Sequence, residues 1–185
     1  MSYDALVFDL DGTLWNATRP AVEAWNHVAS RRAELPNISD SEIQSVMGLP
    51  HDEAIERLLK GTKPELARSA VEEFYAEQVA HLQQSYLYPG VATGIAMLAK
   101  HYPLFVVSNC ETAYLDRFMN VSGLGKLFQD VECFGATRKP KGDNISLVMR
   151  RNTKSRGAYI GDTAGDQIAS RQAGLDFYHA RYGFG

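Results

Sequence analysis

Asp9 and Asp11 stand two residues apart, straight after the apolar run Ala5-Leu6-Val7-Phe8. Asp162 and Asp166 follow a second apolar run, Ala158-Tyr159-Ile160. Ser108 and Asn109 end the run Leu104–Val107, and Lys139 and Lys141 come shortly after Val131–Phe134. Four carboxylates gathered in one small crevice repel one another unless a cation neutralises them. Hard oxygen ligands point to Mg²⁺ rather than Zn²⁺. Mg²⁺ held by a few carboxylates commonly serves phosphate chemistry. A carboxylate can attack phosphorus and form an acyl phosphate. A second one, two residues away, can protonate the leaving group and later deprotonate water. Lysine, a serine hydroxyl and backbone N–H groups can hold the phosphoryl oxygens.

Each cluster also has a plainer reading. Asp11-Gly12 can be a turn, and Ser108-Asn109-Cys110-Glu111 a helix cap. Asp162-Thr163 can cap the next helix, with Asp166 a first-turn acid favoured by the dipole. Lys139-Pro140-Lys141-Gly142 can be a solvated basic loop. What weighs against these readings is that all four would have to coincide at one edge of the fold. His27, His81 and His101 are most simply surface or packing residues, and Cys110 has no evident catalytic task.

That edge follows from the elements. Continuous apolar runs suit strands buried on both faces, as in a parallel sheet. After Tyr88-Pro89-Gly90 such runs alternate with helical patterns, ending at Phe177–Ala180, which predicts a doubly wound α/β sheet. In an open parallel sheet ligands sit beyond the carboxyl ends of the strands, and the polar clusters all fall there. Residues 18–84 instead carry helical stripes, such as Val22, Trp25, Val28 and Ala29, and Leu66, Val71, Phe74, Tyr75, Val79 and Leu82. Ser39–Glu42 and Thr62–Glu65 both fit capping boxes. The expected division is a core domain of residues 1–14 and 87–185 interrupted by a helical cap domain, 15–86.

These motifs together resemble the haloacid dehalogenase superfamily, in the phosphatase branch that carries a helical cap after the first strand and resembles phosphoglycolate phosphatase. Asp9–Thr13 matches its Asp-x-Asp-Gly-Thr motif, Val107-Ser108-Asn109 its second, and Gly161-Asp162 to Asp166 its fourth. Tyr88-Pro89-Gly90-Val91 resembles the segment that re-enters the core. The resemblance implies that Asp9 is nucleophile and metal ligand. Asp11 would be general acid/base and bind metal through its backbone carbonyl. Ser108 and the amide of Asn109 would bind the phosphoryl group. Asp162 would hold Mg²⁺, with Asp166 supporting it directly or through water. Gly48-Leu49-Pro50-His51 resembles the cap loop that contacts substrate, which makes Gly48 and His51 substrate-binding candidates. For the third motif, Lys-Pro-x-Pro-Asp would select Lys139, whereas Ser-Lys-x-x-Asn-Ile matches Lys141-Gly142-Asp143-Asn144-Ile145. Counted back from a helix start at Asp143 the second needs no gap, and Lys141 is preferred. Trp15-Asn16 departs from the family pattern and places an aromatic at the cap hinge. The chain ends at Tyr182-Gly183-Phe184-Gly185, where many relatives continue with another strand and helix.

The bulk properties agree with this expectation. The chain has 185 residues, 45% hydrophobic and 22% charged, enough for one substantial core and a small extra lobe. A net charge of −3 argues against a general nucleic-acid binder, while a few local cations suffice for a small phosphorylated substrate. Two cysteines suggest no disulfide scaffold, and no stretch reaches membrane-helix length, so a cytoplasmic protein without membrane partners is expected. A monomer is the simplest assembly. Competing readings are a phosphomutase on the same fold, a receiver-like phosphoacceptor, or a catalytically silent binding protein. The receiver reading suffers because its acceptor Asp follows the third strand, where this chain has Phe134-Gly135.

Overall fold

The computed structural model describes residues 3–47, 49 and 51–185, and for residues 51 and 52 it describes the backbone alone. Five short strands, β1 (Ala5–Phe8), β2 (Leu104–Ser108), β3 (Asp130–Cys133), β4 (Gly157–Gly161) and β5 (Asp176–His179), form one parallel sheet in the order β3-β2-β1-β4-β5. The central β1 pairs Phe8 with Val106 on one side and with Ile160 on the other.

Successive side chains of a strand point to opposite faces. Leu6 and Phe8 therefore join Leu104, Val106 and Phe118 in one apolar cluster, and Ala5 and Val7 join Phe105, Val107 and Tyr159 in another. Both faces are covered, which is why the runs are apolar without alternation. Helices α5 (Val91–Leu98) and α6 (Thr112–Val121) cover the first face with Ile95, Leu115 and Phe118. On the second face, α8 (Lys141–Arg151) and α9 (Ala164–Gln172) supply Ile145, Val148, Met149 and Ala169. The fold is the expected doubly wound sheet. The single-turn α7 (Phe134–Thr137) follows β3.

Between β1 and α5 the described residues form four α-helices, α1 (Thr18–Ser30), α2 (Asp40–Val46), α3 (His51–Leu58) and α4 (Pro64–His81), followed by a short 3-10 turn at Gln84–Tyr86. They surround their own apolar cluster, which includes Trp25, Val28, Leu35, Ile38, Ile43, Leu59, Ala70 and Val71. Trp25 meets Phe74 edge-on at 6.1 Å. Outside this core, Arg31 pairs with Glu77 at 2.9 Å, and Arg32 pairs with Glu73. A helical cap is thus inserted into the α/β fold. The chain crosses into it and back side by side. Asn16 N–H donates to Tyr86 O at 2.8 Å, and Tyr88 N–H to Leu14 O at 3.1 Å. Trp15 and Leu87 form an antiparallel bridge between them.

Two local expectations differ from what forms. Ser39 and Glu42 make the capping box at α2, but Thr62–Glu65 makes none. Lys63, with no side-chain cap bond, precedes α4, and Pro64 occupies its first turn. Proline drives the residue before it into extended backbone, which fixes the boundary at Lys63. Helix α8 starts at Lys141 rather than Asp143, because Pro140 is extended at ψ 152° and the helix opens directly after it.

Candidate active site

Asp9 is the first residue beyond β1 and is buried, 3% exposed. Its backbone N–H donates to Ile160 O at 2.8 Å, so the ladder of β1 and β4 sets its position. The chain then turns sharply through Gly12, whose φ of +82° is one that other residues rarely adopt. A β-carbon there would also stand 2.2 Å from an Asp162 carboxylate oxygen. Glycine is therefore required both for the turn and for bringing the loops after β1 and β4 together.

Asp162 and Asp166 come from the loop after β4 and the first turn of α9, and both are fully buried. Thr13 Oγ1 donates to Asp162 Oδ1 at 3.2 Å, and the Phe184 backbone N–H to Asp162 Oδ2 at 2.7 Å. Gly183 lies so close that a β-carbon would meet Asp162 Cβ at 2.3 Å. Asp166 is itself part of the α9 cap. Its Oδ2 accepts from the backbone N–H of Asp162 and Thr163 and from the Thr163 hydroxyl, while Thr163 Oγ1 accepts the Asp166 N–H.

Lys141 binds this acidic set together. Its ammonium is 2.5 Å from Asp166 Oδ1 and 3.0 Å from Asp9 Oδ1. The contact with Asp9 is an ion pair without hydrogen-bond alignment, and Asp9 Oδ1 has no hydrogen-bond donor. A cation in the first turn of a helix opposes the helix dipole, and here the two carboxylates compensate for it. Burial alone would lower the lysine pKa, but Asp166 and Asp9 more than reverse that and hold it above its ordinary value. Asp166 responds in the opposite sense. Burial would raise its pKa, and Lys141 with the Thr163 bonds pulls it below normal. Asp9 is pushed well up, by burial first and then by Asp166, with Lys141 opposing.

Asp11 faces elsewhere. Trp15 Nε1–H donates to its Oδ1 at 2.9 Å and the Tyr114 hydroxyl to the same atom at 2.6 Å. Trp15 is fully buried and packs edge-on against Tyr114 at 5.6 Å and Phe118 at 4.7 Å. Burial raises the Asp11 pKa from 3.8 to about 6, and the bonds from Tyr114 and Trp15 oppose the rise. A carboxyl poised there can give or take a proton near neutrality.

Asp9, Asp11, Ser108, Asn109, Tyr114 and Lys141 all line one cavity of about 180 Å³ that continues into the helical cap. Residues far apart in sequence thus meet at the carboxyl edge of the sheet. Lys139 is exposed and lies outside the cavity lining. Gly48 lies outside the described residues, as does the side chain of His51. Sequence reasoning missed Tyr114 and the Phe184 amide, which reach the site from 103 and 22 residues away from their partners. No local pattern carries that information. Trp15 stood out as an aromatic at the hinge, but its bond to Asp11 did not.

The donor chemistry suits a hard divalent cation. Asp9, Asp162 and Asp166 each offer a carboxylate oxygen, all within 4.8 Å of one another. Among the described residues lining the cavity, Lys141 is the only cation against this charge. All donors are oxygens, as Mg²⁺ requires.

Residues 6–180 match the family model described as haloacid dehalogenase-like hydrolase. The chain is 28% identical to a phosphoglycolate phosphatase of Vibrio cholerae, over 99% of this chain and 86% of that protein. It is 30% identical to a probable phosphatase of Dickeya dadantii, over 92% of this chain and 77% of that protein. Among solved structures, a haloacid dehalogenase-like hydrolase from Streptococcus pneumoniae superposes with a TM-score of 0.84 at 22% identity, over 99% and 87% of the two chains. A predicted phosphoglycolate phosphatase from Haemophilus somnus gives 0.84 at 21% identity, over 98% and 86%. At such identities the two structures speak to the fold.

Proposed function

We propose, from the premise that the chain belongs to the haloacid dehalogenase-like hydrolases and is one of their capped phosphatases, that it hydrolyses a small phosphorylated metabolite through a phosphoryl group carried on Asp9. The observation that carries this reading is the Asp9 carboxylate. It is buried at the end of the central strand, lines the cavity, and keeps one oxygen without a hydrogen-bond donor. That oxygen faces the Lys141 ammonium at 3.0 Å, and a phosphoryl group held by the same lysine would be brought within its reach.

In the first half-reaction an Asp9 oxygen forms a bond to phosphorus and the bond to the leaving oxygen breaks. Asp11 passes its proton to that oxygen, and its pKa of about 6 suits the transfer. In the second, Asp11 takes a proton from a water that attacks phosphorus, and Asp9 is released. Ser108, the Asn109 amide and Lys141 hold the phosphoryl oxygens during both steps. Trp15 and Tyr114 aim the Asp11 carboxyl. Mg²⁺ would be held by Asp9, Asp162 and the Asp11 carbonyl, with Asp166 behind them, and would supply neutralisation of the carboxylate and phosphoryl charge. Asp166 already accepts from Lys141, Asp162 and Thr163, which supports an orienting role.

Residues 15–86 act in this reading as a cap that closes over the substrate, and 1–14 with 87–185 as the core. The paired crossings at Leu14–Asn16 and Tyr86–Tyr88 support that division. Both cysteines are free thiols, in keeping with a reducing compartment such as the cytoplasm. Phosphoglycolate, named for several relatives, is the reference substrate. The test is hydrolysis of 4-nitrophenyl phosphate by the purified chain. Activity vanishes with a chelator and returns with Mg²⁺, and Asp9→Asn removes it by roughly a hundredfold or more. Recovery with Zn²⁺ alone, or an active Asp9→Asn, contradicts the proposal.

A further inference from the structure

We infer that the leaving group this site accommodates is an apolar alcohol of about ring size with one neutral hydrogen-bonding function, read by Gln78, rather than a carboxylate-bearing alcohol. The inference rests on the phosphatase reading above and concerns the other end of the same cavity.

Beyond the catalytic groups, the cavity is walled by the cap side chains Ala21, Trp25, Ile43, Leu59, Val71 and Phe74, among others of the same kind. Among the described lining residues there is no arginine, and the only lysine is Lys141, already facing Asp9 and Asp166. A carboxylate carried into this space would lose its water and meet no lysine or arginine among the described lining residues apart from Lys141, which is strongly unfavourable. An apolar group would instead gain from leaving water. The size fits as well. The cavity measures about 180 Å³ with its phosphoryl end included, and an apolar cavity of about 150 Å³ takes up benzene, so the leaving group has room for one small ring at most.

Gln78 breaks the apolar wall, as does the hydroxyl of Tyr75. Val71, Phe74, Tyr75 and Gln78 recur along α4 at the spacing of one helix face, and all four line the cavity. Gln78 is only 7% exposed. It is the one side-chain amide that α4 contributes to the cavity lining. An amide offers both a donor and an acceptor but no charge. It therefore suits a hydroxyl, carbonyl or amide on the substrate. Pockets built this way, largely apolar with a few placed polar groups, take orientation from the polar group and affinity from the rest.

The test uses the full chain with Mg²⁺ and n-alkyl phosphates from methyl to pentyl, whose leaving alcohols differ little in basicity. kcat/KM is expected to rise by up to about fourfold per added methylene until the cavity is full. Ethyl phosphate is expected to exceed phosphoglycolate, which differs from it by a carboxylate in place of the methyl group, by about tenfold or more. At the best chain length, replacing the terminal methyl by hydroxyl should maintain or raise kcat/KM in the native protein. In Gln78→Leu the same replacement should lower it by about tenfold. Preference for phosphoglycolate over ethyl phosphate overturns the apolar class while leaving the phosphatase reading intact. An equal response of both proteins to the hydroxyl overturns the role of Gln78. Failure to hydrolyse any monoester, 4-nitrophenyl phosphate included, overturns the phosphatase reading and this inference with it.

Discussion

Replacing Asp11 by asparagine should make the metal-free protein more stable while removing its activity. The reason is the cost of keeping a half-buried carboxylate ionised. Burial raises the Asp11 pKa from 3.8 to about 6, against the opposing bonds from Tyr114 and Trp15. Between those values the folded chain holds a proton that the unfolded chain has released. The fold then binds more protons, so its stability falls as pH rises. Above about pH 6 both states are ionised and the loss is complete, about 3 kcal/mol at 1.36 kcal/mol per pH unit. The amide that replaces the carboxylate carries no charge and can still accept from the indole and the phenol. In chelator, Asp11→Asn should therefore gain about 3 kcal/mol at pH 8, and about half of that at pH 5. For a chain of this size the gain at pH 8 corresponds to a rise in Tm of roughly 6–12 °C. Urea unfolding at pH 5, 6.5 and 8, followed by tryptophan fluorescence, measures it. A variant less stable than the native protein at pH 8, or a gap that does not shrink as pH falls, would refute the reasoning.

Lys141→Met should cost about 3–5 kcal/mol in chelator, because it leaves Asp9 and Asp166 buried against each other without their cation. It should also depress turnover by roughly a hundredfold or more. Lys139→Ala, at an exposed position, should stay within about 0.5 kcal/mol and keep most activity, and the reverse ranking would select Lys139 as the phosphate ligand. Trp15→Phe removes the indole donor to Asp11 and should reduce kcat about tenfold for alkyl phosphates, whose leaving oxygen needs a proton. With 4-nitrophenyl phosphate, whose leaving group needs less help, the loss should be within about threefold, and equal losses would place Trp15 outside the proton-transfer machinery.

How far the sequence carries these conclusions depends on range. Buried strands announce themselves as apolar runs, and β1, β2 and β4 lie within a residue of where the runs place them. The cap is legible for the same reason, since its stripes on α1 and α4 recur at helical spacing. The acidic motif and its neighbours are local, so their convergence follows once the strands are known. What is not legible is set by contacts between distant segments. Tyr114 meets Asp11 only because α6 packs on the face of the sheet that carries Leu6 and Phe8. The Phe184 amide reaches Asp162 only because the chain turns back after β5. Residue-level boundaries fail where proline intervenes. Pro64 displaces the cap expected at Thr62, and α8 opens immediately after Pro140 rather than two residues later. Gln78 falls on an apolar stripe and reads from sequence as one polar residue on a helix. Its burial in the cavity wall is visible only in three dimensions.

The central claim is that the phosphoryl group passes through Asp9. Rapid acid quench of the enzyme turning over an alkyl phosphate, followed by borohydride reduction and peptide mass spectrometry, tests it directly. Reduction converts a phosphorylated aspartate to homoserine. The account predicts homoserine at position 9 in the native protein, dependent on substrate and Mg²⁺ and absent from Asp9→Asn. Steady turnover with an unmodified Asp9, or modification at Asp11, Asp162 or Asp166 instead, would contradict it.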